Sequence, residues 1–375
     1  MFVGAALAKA ERDRRSARAK RSRERKFAQL SDEQPIEGLQ RMAVGQLDIA
    51  IEHLAGERQG KSAVGAGRAV HETRKSLKRL RTLLRLLANE VDEQALALEE
   101  NAVRDAARRL AGARDAEVLV ETLDGLLERH PRKLARRKSV HIMRERLVAE
   151  REREAARIHQ SATRMEVLAE LRCTRARIAR WTLADGGPDI AALEPGLDRV
   201  YRQGRRRYRR AASGRGDRAR AMHQWRKRVK DLRYACEALQ RADPVGKQPG
   251  ARKLAGAGKR APVSKRERRR ANAAASQGER HLRELARRAD ELGELLGEEH
   301  DLAMLAERVR AERKRPAKGR VPIGRGAQRT LLKLIARRRR RLRALALGKA
   351  ERLYRRRPKK FVRRVRRAHR QLSLR

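Results

Sequence analysis

Aromatic residues are almost missing: Phe, Trp and Tyr together make up 2% of the 375 residues. That is poor material for stacking bases, as single-strand and RNA-reading modules do. Cysteine is as scarce. Cys173 and Cys236 fit no disulfide framework and no zinc spacing, which points to a reducing compartment and to small apolar roles for both. No window reaches the ~18 consecutive apolar residues of a membrane span. The short apolar run in "MFVGAALAKAERDRR" precedes its charges, the reverse of a secretory signal. The expectation is a cytoplasmic protein with no membrane partner. β-Branched residues and hairpin dipeptides are also few, and long Ala/Leu/Arg/Glu stretches with helical periodicity take their place, so the fold class expected is all-α.

Positive charge is what the chain has in excess. Lys and Arg number 99 against 47 Asp and Glu, a formal net charge of +52. Self-repulsion on that scale destabilises a compact chain unless a polyanion or counterions offset it. Nucleic acid, inorganic polyphosphate, an anionic membrane surface and an acidic protein all meet that need, and net charge alone does not rank them. An apolar content of 40% suffices for a core of one large or two smaller domains.

Residues 1–26 read as a basic disordered tail, followed by "QLSDEQPIEG", whose Asp, Pro and Gly commonly precede a helix. The folded part is expected from Phe27. From Asp243 to Gln277 Gly, Pro, Lys and Arg replace the apolar periodicity, which reads as a flexible basic insert. A shorter break runs from Lys314 to Gln328. These divisions give a first helical repeat over 27–185 and a second over 190–375.

The repeat shows in the residues. "VHETRKSLKRLRTLLRLL" from Val70 returns as "MHQWRKRVKDLRYACEAL" from Met222, and a shift of 152 superposes His71 on His223, Arg74 on Arg226, Lys75 on Lys227, Lys78 on Lys230 and Arg81 on Arg233. A second pair, "RRLAGARDAEVL" from Arg108 and "ELLGEEHDLAML" from Glu294, matches at a shift of 186; the larger shift is what an insert in the second copy produces. At about 100° per residue, His71, Arg74, Lys75, Lys78 and Arg81 share one arc of about 120°, while Leu77, Leu80, Leu83, Leu84 and Leu87 form the opposite, apolar stripe. Trp225, Val229, Leu232, Cys236 and Leu239 do the same in the second copy.

A solvated face in a basic protein also shows Lys and Arg outward, but it usually intersperses Glu to relieve repulsion. Neither arc has a carboxylate before Glu237, so a polyanion laid along the stripe is the better reading. His71 and His223 lack the companions of a metal site or a catalytic base, which leaves a phosphate donor or a histidine bonded to the next helix. Asp115 and Asp301, beside Gly112 and Gly297, read as structural, orienting an Arg of the stripe or capping a kink. "YRQGRRRYRRAA" is a third basic helix, with Tyr201 and Arg205 in reach of the same anion. "EREREA" from Glu150 has the alternating acids of triphosphate-tunnel enzymes, but on a helix, where that motif does not work. The arginine runs from Arg337 and Arg355 fit a solvated face or a loose nucleic-acid patch equally.

Together these stretches resemble the CHAD family, a helical domain named for its histidines. The similarity takes in "QPIEGLQRMAVGQLDIAIEHL", both His-x-x-Arg helices, "LAGARDAEVLVETL", "LLGEEHDLAMLAERV" and "LALGKAERLYRRRPKKF", from about Phe27 to Ala368 without the insert. The resemblance implies two four-helix bundles related by a pseudo-twofold axis, with basic helix faces lining a central cavity or groove that binds inorganic polyphosphate. It further implies association with polyphosphate granules, no catalytic activity and no cofactor. Binding roles carry over to His71, Arg74, Lys78, Arg79 and Arg81, and to His223, Arg226, Lys227, Lys230 and Arg233. Three positions depart from the pattern: Asp231 stands where the first copy has Arg79, Ala111 replaces an expected glycine, and "EEHD" puts extra acid beside the groove. The competing reading is a non-specific nucleic-acid binder working through tail and insert. An enzyme acting on polyphosphate lacks the acidic metal ligands that phosphoryl transfer usually needs.

Overall fold

The computed structural model describes residues 22–56, 63–160, 162–183, 190–242, 265–314 and 323–372. Helices account for nearly all of it: α1 (Pro35–Ala55), α2 (Ala63–Leu86), α3 (Glu93–Arg109), α4 (Ala111–Arg129), the single turn α5 (Pro131–Leu134), α6 (Lys138–Gln160) and α7 (Ala162–Ala179). A 3-10 turn at Ile190–Leu193 leads into α8 (Glu194–Ala212), α9 (Arg218–Ala238), α10 (Lys265–Lys314), α11 (Arg325–Tyr354) and α12 (Pro358–Leu372). Among the described residues no strand forms beyond one isolated bridge between Gln29 and Arg241.

Local chemistry sets the helix starts. Asp92 accepts from the Ala95 amide (2.9 Å) at the head of α3 and Asp217 from the Arg220 amide (3.0 Å) at the head of α9, each satisfying a donor that the first turn leaves orphaned. α1 opens with Pro35 and ends at Gly56, whose φ of 83° suits a residue without Cβ. The apolar stripes lie where the periodicity puts them. Leu77, Leu80, Leu83, Leu84 and Leu87 of the α2 segment, and Trp225, Val229, Leu232, Cys236 and Leu239 of the α9 segment, are all buried. At roughly 1.5–3 kcal/mol per buried large side chain, these stripes hold the two helices in place.

The core does not divide at the boundary between the repeats. One hydrophobic cluster joins α1, α2, α3 and α7 with α8, α9, the first half of α10 and α12. The other joins Val120, Leu123, Met143 and Leu147 of α4 and α6 with Leu302, Leu305, Leu331 and Ile335 of α10 and α11. Each sequence half thus contributes to both clusters. The halves differ at the second repeated motif: the first breaks at Leu110 between α3 and α4, whereas α10 runs on for 50 residues through the matching motif. α8 seats closely on the end of α2, because a Cβ at Gly196 would stand 2.6 Å from the Leu86 carbonyl oxygen.

Two expected boundaries move. The tail expected to be disordered through Lys26 is ordered from residue 22: Arg25 donates to Glu52 (2.8 Å), and Arg41 donates to the carbonyls of Lys26 (2.8 Å) and Ala28 (2.7 Å). Residues 1–21 lie outside the described residues. Of the insert expected over 243–277, residues 243–264 also lie outside them, but 265–277 form the opening turns of α10. Composition misled there, because arginine and alanine are good helix formers even without an apolar stripe.

Candidate functional site

The two histidine helices cross, and their contact is ionic. Asp231 of α9 pairs with Arg85 of α2 (2.9 Å) and with Arg228 (3.1 Å), and accepts from the Thr82 hydroxyl (3.4 Å). Arg79 of α2 pairs with Glu237 of α9 (3.6 Å), its guanidinium 4.7 Å above the Phe27 ring. At the shift of 152, Arg79 aligns with Asp231 and Arg85 with Glu237. The contact is therefore reciprocal, with cations from one copy meeting carboxylates from the other at equivalent positions. That accounts for the departure at Asp231, and it removes Arg79 from the binding set, because its charge is spent on Glu237.

Other expected binding residues are also committed. Tyr201 is fully buried, stacked on Phe361 at 3.9 Å, and its hydroxyl donates to the carbonyls of Leu353 and Arg356 (both 3.1 Å), so it is a core residue out of reach of any anion at α2 and α9. Arg205 donates to the Tyr354 carbonyl (3.0 Å) and lines a cavity between α8 and α12, away from the histidine helices. Arg233 is neutralised by Glu237 (2.6 Å) and Asp290. Lys75 pairs with Glu72 (3.2 Å), and Arg74 donates to the Ala107 carbonyl (2.7 Å), fastening α2 to the last turn of α3. His71 is half-buried beside Glu72, and Lys78 is exposed on α2.

What remains is a tight group centred on α9. Arg226, Lys227 and Lys230, with Arg81 of α2, have no ion pair or hydrogen bond among the described residues. Arg226 lies against Gly297, its guanidinium 3.5 Å from where a Cβ would stand, and its buried Nε lacks a partner. Burial first, then Arg81 and Arg228, lower the Lys227 pKa. Burial and the neighbouring Arg226 push Lys230 down to about 8, although Glu294 and Asp301 act the other way. Asp115, the counterpart of Asp301, is exposed on α4 just after the break at Leu110.

His223 meets a residue that sequence reasoning left out of the site. Its Nδ1 lies 3.2 Å from Nδ1 of His300 on α10, with the rings 4.1 Å apart. Burial and flanking cations hold His223 near 4, and burial, His223 and Arg226 hold His300 near 3, so both are neutral at pH 7. One Nδ1 must then donate and the other accept, which leaves one of the two Nε2 atoms protonated and able to donate outward. His300 was within reach of the sequence, as a rare histidine inside the second repeated motif. The position matching it is Arg114, whose side chain is outside the described set.

The two glutamates of "EEHD" do not face this cluster. Glu298 accepts from Arg338 (2.8 Å), and Glu299, 1% exposed, pairs with Arg339 (2.8 Å) and Arg343 (2.7 Å) of α11. Among the described residues no His, Cys, Asp and Glu side chains form a group of three that could hold a metal, and no helix is long and apolar enough to cross a membrane.

A model of the CHAD domain matches residues 45–260, more than half of the chain. The protein belongs to the CHAD domain family. No curated protein matches it significantly. Among solved structures, the CHAD domain from the plant Ricinus communis is similar over 86% of this chain and 94% of its own, with 17% identity and a TM-score of 0.50. PptA from Streptomyces chartreusis is similar over 86% of this chain and 99% of its own, with 16% identity and a TM-score of 0.54. At such identities the likeness concerns the all-helical CHAD fold. The family is in general one of binding domains linked to polyphosphate. Within this CHAD chain, the positions named from the resemblance thus separate into structural ones, such as Arg79 and Arg233, and the cluster of uncommitted cations around Lys230.

Proposed function

We propose that the protein binds inorganic polyphosphate without turning it over, through Arg226, Lys227 and Lys230 of α9, Arg81 of α2 and the outward Nε2–H of the His223–His300 pair. The observation that carries this reading is the sorting of the cations. Carboxylates and carbonyls occupy the arginines around the cluster, yet these four side chains are left beside one another, an arrangement that a chain of phosphates relieves. His71 and Lys78 extend the same stripe along α2. Among the described residues no Phe, Tyr or Trp is exposed, so recognition rests on phosphate contact with no stacking surface for bases. The protein acts in the cytoplasm, at polyphosphate granules. Titrating the full chain with long-chain polyphosphate at several salt concentrations tests the proposal: steeply salt-dependent binding that excess DNA displaces poorly, with no phosphate released when magnesium is added, is the expected result. Ready displacement by DNA would shift the function to nucleic-acid binding.

Lys230 gives a second check. A polyanion beside it favours the ammonium, returning its pKa from about 8 toward the ordinary lysine value of about 10.4. Between those values binding draws in a proton, so affinity falls as pH rises through that window. The free protein behaves oppositely: its unfolded state binds more protons there, and its stability rises with pH across the same range. Calorimetric titration in buffers of different ionisation enthalpy should show proton uptake in the native chain and less in Lys230→Met, where, of the cluster's lysines, only Lys227 still has a lowered pKa.

A further inference from the structure

The cavity that holds Arg205 has no part in the cluster on α9. It encloses about 690 Å³ between α8 and the amino end of α12, and seven cationic side chains line it against a single carboxylate, Asp198. That carboxylate already pairs with Arg202. A second cavity of about 500 Å³ continues from Arg363 along α12 to Arg370. α12 has 15 residues, roughly 22 Å at 1.5 Å per residue, so the two cavities form a cationic track along one helix.

The track is built on a fixed floor. The Tyr201 and Phe361 rings stack beneath it, and Tyr201 and Arg205 occupy the carbonyls of Leu353, Arg356 and Tyr354 where α11 turns into α12. Those oxygens would otherwise repel an anion. The amino end of α12, where Lys359 and Lys360 sit, adds the positive potential of the helix dipole at the same end. α8 separates the track from the α9 cluster: its Gln203 accepts from Arg228 of α9 (2.8 Å), while Arg202, Arg205 and Arg209 face the cavity.

We infer that the α8–α12 track is a second anion site, taking a run of consecutive phosphates such as a stretch of a linear polyphosphate. A concavity of this size admits a thin chain, whereas a nucleic-acid duplex would meet only its rim, and the rings nearby are turned inward. The choice of polymer rests on the function proposed above; the site itself does not. Two phosphate-binding surfaces on opposite sides of α8 make the protein bivalent, so a long polymer is held by both or bridges neighbouring molecules.

The test compares the native chain with Lys359→Glu/Lys360→Glu/Arg363→Glu, and with Arg226→Gln/Lys230→Gln as the variant of the other site. Acids at positions 359 and 360, in the first turn of α12, suit the helix dipole, and Arg363 is exposed, so the triple variant should fold. With tripolyphosphate as calorimetric probe, the native chain should bind two equivalents and each variant one. With long-chain polyphosphate the salt slope of the triple variant should be shallower by roughly 2, for three lost contacts, and scattering from cross-linked complexes should vanish. Unchanged stoichiometry in the triple variant overturns the site. Loss confined to the triple variant, with Arg226→Gln/Lys230→Gln binding as the native chain does, overturns the α9 reading and keeps this one. If the triple variant loses DNA binding but keeps tripolyphosphate, the track is a nucleic-acid surface and the inference fails.

Discussion

Replacing Arg226, Lys227 and Lys230 together by glutamine should abolish polyphosphate binding at the α9 cluster while leaving the fold about as stable as before. A hydrogen bond to a charged group contributes about 1.5–3 kcal/mol. Three such contacts therefore total at least about 4.5 kcal/mol, on the order of a thousandfold in affinity. Stability should not fall in parallel, because these side chains make no ion pair among the described residues and repel one another in the free protein. Arg233→Glu provides the contrast. Its guanidinium is bound to Glu237 and Asp290, so reversal places three carboxylates together and should lower the melting temperature. Thermal melts beside binding titrations separate the two cases. If the triple variant melts early, or Arg233→Glu is the better at suppressing binding, the sorting of cations into committed and uncommitted is wrong.

The periodicity of the sequence shows which helices exist, which faces are apolar and which face carries charge, since those are properties of neighbours along one helix. The leucines of α2 and their counterparts on α9 are buried as the pattern requires. Whether a cation on the charged face is available depends on partners far along the chain. Arg79 is matched by Glu237 and Arg233 by Asp290, and no helical wheel contains both members of either pair. Tyr201 misled for a related reason: it sits among arginines in sequence, yet its ring points to Phe361, well over a hundred residues later. The glutamates of "EEHD" meet Arg338, Arg339 and Arg343, a run that the sequence leaves equally open to a solvated face or a nucleic-acid patch. The sequence leaves His223 with two readings, and its ring lies against His300, while one Nε2 of the pair keeps the donor role open.

The largest effect on stability should come from Asp231, which is only 8% exposed. Asp231→Ala leaves Arg85 and Arg228 facing each other without a counter-charge, with Arg81 and Lys227 close by. Breaking a buried ion pair by removing one partner costs about 3–5 kcal/mol. Neutralising Arg85 as well should recover part of that loss, and a double-mutant cycle of Asp231→Ala with Arg85→Met should give a coupling of roughly 0.5–3 kcal/mol. Arg228 keeps its bond to Gln203, so recovery is incomplete. The same reasoning explains why the two copies diverged here. Had position 231 kept the arginine of position 79, the crossing of α2 and α9 would oppose cation to cation at its centre. Polyphosphate should raise the melting temperature of Asp231→Ala more than that of the native chain, because a polymer laid on Arg81 and Lys227 supplies part of the missing negative charge to the state it binds. An equal rise in both would separate the crossing from the cluster electrostatically, and the one basic surface across both repeats would become two.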